Sequence, residues 1–454
     1  MPAADIAPLL IVTLLGVALV VLLIVWVRLP AFVALAAGSF FVGLASGMPP
    51  AEIPRAFQQG VGDTLGFIAM VIGLGTVIGK LLAESGGAAV VAGALTRALG
   101  ERRLGWALMF AGFIIGLPVF FQVGLVLLAP VLFTLARQEA ARTGDASPIL
   151  ALGIPLVAGL SAVHGLTPPH PGPLAAIERL QADIGRTLFY SLIVALPVAI
   201  LSGPIFARFI SRRVHVQPGG MAEQLTGAIT AVRAPSLAAT LTTILLPVVL
   251  MLVASLAQAT LPDGAARRWV VFAGSPLVAM LTAALVALCT FGRACGFDRA
   301  RLLRFAEESL PPLASVLLVV GAGGGFGRVL DASGADTAIA QAMGGLALSP
   351  LVLGWVIASL LRLAVGSATV ACVTAASIMA PIALAAPHIN RDLMVVAIGA
   401  GSLVASHVND GGFWLVKEYF NMSVPQTVAT WTVLETIVSI AGLAGVLVLA
   451  AVLG

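Results

Sequence analysis

The stretch "GLGTVIGKLLAESGGA", Gly73 to Ala88, occurs a second time in the chain as "GAGGGFGRVLDASGA", Gly321 to Ala335. The two copies align without a gap. The alignment matches three glycines, the basic residue that follows the third glycine, and a Ser-Gly pair. Small residues recur in membrane helices for packing reasons, so a single glycine-rich match does not establish a duplication.

Two further pairs of segments match in the same order. The apolar segment 104–136 precedes 350–385 by about the same spacing as the first pair of copies. A slightly smaller spacing carries "GLSAVHG", from Gly159, onto "GSLVASHVNDGG", from Gly401. Three matched blocks in order predict an internal repeat.

The predicted repeat divides the chain into two halves. The first repeat covers residues 1–215 and the second covers 234–454, with a cytoplasmic linker at 216–233 between them. Each half is expected to contain three helices, a hairpin, a broken helix and a last helix.

The composition is that of an integral membrane protein. Of the 454 residues, 60% are hydrophobic and only 10% are charged, which excludes an ordinary soluble domain. The sequence shows no basic patch that would suit nucleic acid. A crossing helix needs about 20 apolar residues. Ten crossings are predicted at 8–27, 31–48, 61–83, 148–182, 186–210, 236–260, 269–292, 310–332, 392–420 and 427–453.

The segments 104–136 and 350–385 do not fit a simple crossing. Each is too long for one crossing and too short for two crossings with a turn, at 1.5 Å per residue. A helix breaker lies near the middle of each, at Pro118 and at the Gly366-Ser367 pair. We therefore expect two re-entrant hairpins, each of which returns to its own side of the membrane.

The number of crossings between equivalent points is odd, so the second repeat is predicted to be inverted. The hairpins then enter from opposite sides, with tips near the midplane. The fold class is an all-α polytopic membrane protein, and inverted repeats with broken helices are typical of secondary transporters. Roughly two thirds of the basic residues fall on the cytoplasmic side and roughly six fall outside, which predicts both termini outside. The pair Arg267 and Arg268 is the main exception.

Each broken helix carries polar residues at membrane depth. In "SAVHGLTPPHPGPLAA", Ser161 to Ala176, prolines and glycines interrupt the helix and free backbone groups that lipid cannot satisfy. The matching break, "SHVNDGGFW", contains Asp410, the only acid between Leu393 and Val416. An intramembrane carboxylate indicates function, although a helix cap or a salt bridge to Arg362 would also explain it.

The breaks and hairpin tips supply the candidate substrate-binding residues. Helix N-termini and hydroxyls suit an anion, and Arg362 could grip a carboxylate or extend toward the membrane surface. The candidates for proton coupling are Asp410, His164 and His407. The full binding set is Gln122, His164, Thr167, His170, Gly172, Arg362, Ser367, Thr369, His407, Asn409 and Asp410.

Three segments resemble signatures of the gluconate permease family of bacterial proton symporters: "GLPVFFQVGLVLLAP", "VHGLTPPHPGPLAA" and "SHVNDGGFWLVKEYFNMSVPQT". The resemblance implies proton-coupled uptake of gluconate or a related small hydroxy acid across the inner membrane. It also implies a hairpin-bearing transport domain that moves against a scaffold, and a homodimer. Gln122 departs from the family pattern, in which Glu is common. If that carboxylate takes part in proton coupling in other members, either another group does so here, or the stoichiometry or the substrate differs.

Several alternatives remain open on the sequence alone. The carried acid could be gluconate, fructuronate, glycerate or D-serine. An anion channel would use the same polar breaks. An intramembrane metalloenzyme with His164, His170, His407 and Asp410 as ligands is disfavoured, because the histidines lack the helical spacing of a zinc hydrolase motif. We expect neither a metal nor a cofactor, with the proton gradient as the energy source.

Overall fold

The computed structural model describes residues 3–143, 148–216, 233–311, 313–335, 338, 349–385 and 389–453. The predicted linker 216–233 lies almost entirely outside these residues. Throughout the described part of the chain, the regular secondary structure is helical.

The longer helices are numbered here in chain order. They are α1 (Ala3–Val25), α2 (Ala31–Ala45), α3 (Glu52–Glu84), α4 (Gly87–Leu99), α5 (Leu104–Gly116), α6 (Phe121–Thr143), α7 (Ile149–Leu166), α8 (Pro171–Leu180), α9 (Ile184–Ile210), α10 (Leu237–Thr260), α11 (Ala265–Ala273), α12 (Pro276–Ala287), α13 (Arg299–Ser309), α14 (Leu313–Ala332), α15 (Pro350–Val365), α16 (Ala368–Ala385), α17 (Arg391–Gly401), α18 (Gly411–Tyr419) and α19 (Val424–Leu453). Single π-helical turns lie within α9 and α19 and directly after α12.

Ten helical segments of the described chain are long and apolar enough to cross a membrane. Their number equals the predicted number of crossings, but the set differs. Helices α6 and α16 qualify, because the second arm of each predicted hairpin is longer than half a crossing. Helix α2 does not qualify at 15 residues, and the segment 392–420 divides into the short helices α17 and α18.

The broken segment of the first half lies at the centre of the molecule. Helices α7 and α8 are almost wholly buried, while α1, α10 and α19 expose apolar side chains such as Leu14, Leu256 and Val448. Such exposed apolar surface on spanning helices is the surface that faces lipid. The polar break of the first half is therefore enclosed by protein, as intramembrane irregular backbone must be. The second break is partly exposed, at Val408 and Asn409.

Helices α3 and α14, which carry the repeated glycine stretch, pack directly against each other. A Cβ atom on Gly60 would lie 2.4 Å from the carbonyl oxygen of Gly324, and one on Gly324 would lie 2.6 Å from the carbonyl oxygen of Gly60. The absence of side chains at both positions allows the two backbones to approach this closely.

We predict that Gly60→Ala destabilises the protein by about 1–3 kcal/mol, because the new methyl group must push the α14 backbone away. Gly62→Ala is the matched control on the same helix, since a Cβ there has no atom within 4 Å. Alanine has a higher helix propensity than glycine, by up to about 1 kcal/mol. The control should therefore be as stable as the unchanged protein or slightly more stable. Thermal unfolding in detergent measures both variants, and equal melting temperatures would contradict the close packing.

Candidate functional site

Both predicted hairpin tips and both breaks meet at a small cavity of about 80 Å³, called here the central cavity. It lies where α6, α16 and α18 begin, where α7 ends, and beside α19. Six of the predicted binding residues line it: Gln122, His164, Arg362, Ser367, Thr369 and Asp410. Sequence-distant elements therefore contribute to one site.

The tip between α15 and α16 requires a glycine. Gly366 has φ +77°, in the left-handed region, and a Cβ on it would lie 2.3 Å from the carbonyl oxygen of Asn409. After this turn the Ser367 hydroxyl accepts a hydrogen bond from the Val370 amide at 3.4 Å, at the start of α16. The beginning of α16 is thus fixed against the second break.

The N-termini of three helices reach the central cavity. Phe121 and Gln122 begin α6, Thr369 lies in the first turn of α16, and Gly412 lies in the first turn of α18. The unpaired amides of a helix N-terminus carry partial positive charge and attract anions. The arrangement therefore favours a negatively charged ligand.

Arg362 is the cation of the cavity, and its side chain is only 3% exposed. Its guanidinium donates to the Gly366 carbonyl and, at 2.5 Å, to Oδ2 of Asp410. The structure does not favour the predicted alternative in which Arg362 extends to the membrane surface. Its buried Nε–H has no hydrogen-bond partner within the described chain.

Asp410 has the two structural roles that the sequence analysis weighed against function. Its Oδ1 accepts a hydrogen bond from the Gly412 amide at 2.9 Å and caps α18, while Oδ2 pairs with Arg362 and accepts from the Ser406 hydroxyl. The Ser406 hydroxyl in turn accepts from the Trp431 indole N–H at 2.7 Å. Asp410 thus neutralises Arg362 and ties the second break to α19.

The two histidines of the first break lie side by side, with ring centroids 5.0 Å apart. His164 lines the cavity, and its enclosed Nδ1 lacks a hydrogen-bond partner among the described residues. His170 lies behind it, with Nε2 2.8 Å from the carbonyl oxygen of Gly116 at the end of α5. His170 therefore holds the first hairpin tip against the first break.

His407 and Asn409 do not line the central cavity. Nε2 of His407 lies 3.2 Å from the Leu363 carbonyl oxygen, and the Asn409 amide donates to the same oxygen at 3.0 Å. This carbonyl belongs to the last turn of α15, where helical partners are missing. Both side chains hold the second hairpin tip against the second break, as His170 does in the first half.

Thr167 and Gly172 also lie outside the cavity lining. The Thr167 hydroxyl bonds back to the Val163 carbonyl oxygen at 2.7 Å, within its own helix. Gly172 faces α16, where its Cβ would lie 3.2 Å from Cβ of Cys372. Prolines at 171 and 173 leave few free amides at the start of α8, so this N-terminus has little to offer an anion.

Three lining residues with polar side-chain groups were missed in the sequence analysis. Ser161 lies one turn before His164 on α7, while Trp431 and Glu435 lie one turn apart on α19. A signal for Glu435 was present, because it is the only charged residue between Val424 and Leu453. A single ionisable residue in an apolar span is a functional candidate by default.

We predict that Asp410→Asn or Arg362→Gln alone destabilises the protein by about 3 kcal/mol, because each leaves an uncompensated charge in a poorly hydrated site. The double variant should lose clearly less than the sum of the two single losses. Unfolding in mixed micelles measures the cycle, and strictly additive losses would contradict the pairing. Lys417 and Glu418 form an exposed control pair at 2.7 Å, for which the coupling should stay below about 1 kcal/mol.

Known structures share this arrangement of helices. The crystal structure of the YdaH transporter of Alcanivorax borkumensis superposes with a TM-score of 0.61 over 97% of this chain and 98% of that chain. The sequence identity is 21%, so the likeness concerns the fold alone.

Sequence relatives cover the chain almost completely. The gluconate permease of Pseudomonas aeruginosa is 47% identical over 444 residues, which are 97% of each chain. The D-serine transporter of Escherichia coli is 36% identical over 442 residues, 96% of this chain and 97% of that protein. The family model described as GntP family permease matches residues 8–452. The chain therefore belongs to the GntP family of permeases, and it is a multi-pass membrane transporter rather than an enzyme.

Proposed function

We propose that the protein is a secondary active transporter that takes up gluconate, or a related small sugar acid, together with protons. The observation that carries the proposal is the central cavity, which Arg362 lines and where three helix N-termini converge. These groups suit a carboxylate. Ser367, Thr369 and Gln122 line the same space and can bond to substrate hydroxyls.

The size of the cavity supports alternating access. About 80 Å³ accommodates a few water molecules, whereas a six-carbon sugar acid needs more room. Binding therefore requires the hairpin tips to separate from the breaks or from α19. We propose that such separation occurs on one side of the membrane at a time, by movement of the hairpin-bearing part against a scaffold.

Matched glycines of the two broken helices make equivalent contacts, which supports the repeat and its hairpins. A Cβ on Gly159 would lie 2.2 Å from the Met109 carbonyl oxygen, and one on the matched Gly401 would lie 2.4 Å from the Trp355 carbonyl oxygen. In each half, the first arm of the proposed hairpin thus packs against the broken helix at the residue that the sequence alignment equates.

The glycines of the repeated stretch support the same relationship. Gly75 on α3 lies next to the first tip, where its Cβ would be 3.4 Å from the Pro118 carbonyl oxygen. Its counterpart Gly323 on α14 lies next to the second hairpin, with a Cβ position 2.3 Å from a methyl group of Val373. Each copy of the stretch faces the hairpin of its own half.

Proton coupling is proposed on energetic grounds. An anion that enters a cell works against the inside-negative potential, at a cost of about 2.3 kcal/mol per charge per 100 mV. One accompanying proton removes this cost. We also propose an inner-membrane location, both termini outside and a homodimer, in line with the basic-residue asymmetry and the family resemblance.

A small amino acid is the second candidate substrate, because one relative is named as a D-serine transporter. Serine shares with gluconate a carboxylate next to a carbon that bears a polar group. The carboxylate recognition proposed here serves both, and the cavity residues that contact the rest of the molecule would decide between them.

We predict that reconstituted protein accumulates labelled gluconate when the outside is acidified, and that excess unlabelled gluconate abolishes the signal. Sorbitol, which has hydroxyls but no carboxylate, should not compete, and D-serine competition tests the second candidate. Uptake indifferent to the pH gradient would contradict proton coupling. Uptake in which the internal gluconate concentration never exceeds the external one would indicate a channel.

A further inference from the structure

We propose that Glu435 binds the proton that is carried with the substrate anion. This inference rests on the proposed function and names the group that performs the coupling. It concerns a residue outside the proton-coupling candidates Asp410, His164 and His407, and it starts from the position of that residue in the cavity.

Glu435 is an acid enclosed by protein at membrane depth. Its side chain lines the central cavity, the residue is 1% exposed, and its Oε1 accepts a hydrogen bond from the Ser161 hydroxyl on α7. No cation of the described chain lies within ion-pair distance of it. A carboxylate without a counter-ion is costly in such a place, while a neutral carboxyl group is tolerated.

The charged groups around Glu435 come from few elements. Arg362 on α15 and Asp410 in the second break act on it electrostatically, and His164 on α7 lines the same cavity. Helices α9 and α17 also pack against α19. Arg186 and Asp392 pair with each other at 3.0 Å near the starts of those helices. The other charged residues of the two helices are Arg391, which begins α17, and Arg208, near the end of α9.

The charges of the cavity link the proton to the anion. Arg362 and Asp410 cancel, so an ionised Glu435 gives the cavity a formal charge of about −1 and repels a second carboxylate. When Glu435 binds a proton, its carboxylate becomes a neutral carboxyl group and the cavity can accept the anion. By linkage, anion binding then favours protonation to the same extent. Anion and proton cross together with no net charge, and loss of the proton expels the anion.

The position of Glu435 suits this role better than that of Asp410. Asp410 has its oxygens engaged by Arg362, Ser406 and the Gly412 amide. Protonation of Asp410 would break the ion pair that fixes the second hairpin tip. Among the described residues, Glu435 has one hydrogen bond, from Ser161. A hydroxyl can donate to the ionised form or accept from the protonated form.

The test is Glu435→Gln in proteoliposomes, compared with wild type and with Glu307→Gln. Glutamine imitates the protonated carboxyl group, while Glu307 is an exposed acid on α13 away from the cavity. With one proton per anion, a gradient of about one pH unit sets a roughly tenfold accumulation at equilibrium. We expect wild type and the Glu307 variant to approach this value and the Glu435 variant to lose gradient-driven accumulation. The Glu435 variant should retain exchange of labelled for unlabelled gluconate, with little dependence on pH.

Other outcomes overturn the inference. If wild type shows gradient-driven accumulation and Glu435→Gln shows it equally, the proton is carried elsewhere. If the folded Glu435 variant loses exchange as well, Glu435 serves substrate binding rather than coupling. If wild type itself shows no gradient-driven accumulation, the proposed proton coupling is wrong, whatever the Glu435 variant does.

A second variant covers the case in which Glu435→Gln does not reach the membrane. Glu435→Asp keeps an ionisable group but withdraws it by one methylene from Ser161. The pH profile of gluconate exchange should then shift by about half a pH unit or more, since the environment of the titrating group has changed. An unchanged profile would overturn the inference.

Discussion

The structure depends on one constraint, which is that backbone groups freed by an interrupted helix must find partners inside the protein when lipid surrounds it. Here, side chains of each break lie within hydrogen-bond distance of backbone carbonyls that are freed at the hairpin tip of the same half. His170 meets the carbonyl of Gly116, and His407 and Asn409 share the carbonyl of Leu363. A cluster of polar residues therefore forms where the interruptions meet, and the central cavity lies within it.

The ion pair of Arg362 and Asp410 follows from the same constraint. A buried guanidinium needs a carboxylate nearby, and the break provides one that also caps α18. Because the pair is neutral, it does not attract an anion by itself. In the proposed mechanism, helix N-termini attract the anion, and the charge state of Glu435 decides whether the cavity accepts it. Binding and coupling are in this view separate tasks of neighbouring residues.

Much of this organisation could be predicted from the sequence. Pro118 and the Gly366-Ser367 pair lie where helices end, as the breakers in these two long segments predicted. Other prolines, such as those inside α6 and α16, do not interrupt their helices. The polar residues of the breaks and hairpins were expected to come together, and six of them line one cavity. Local chemistry was sufficient for these predictions.

The direction of each side chain could not be predicted. Thr167 bonds to its own helix while Ser161, six residues earlier, faces the cavity. His407 and Asn409 turn toward α15, although Asp410 beside them faces inward. Glu435 lies in a helix without a breaker, so its contact with α7 depends on how distant helices pack. Within an irregular segment, the rotation of each residue is set by tertiary contacts that the sequence does not display.

The attachment of each hairpin tip to the break of its own half has a consequence for inhibition. The cavity lies between two hydrogen-bonded assemblies of a hairpin tip and a break. The bond of His170 holds the first together, and the bond of Asn409 holds the second together. A carboxylic acid with a rigid, bulky tail could bind near Arg362 and keep the two assemblies apart. Such a compound would hold the protein in one conformation, and it would not need to bind to the surface that faces lipid.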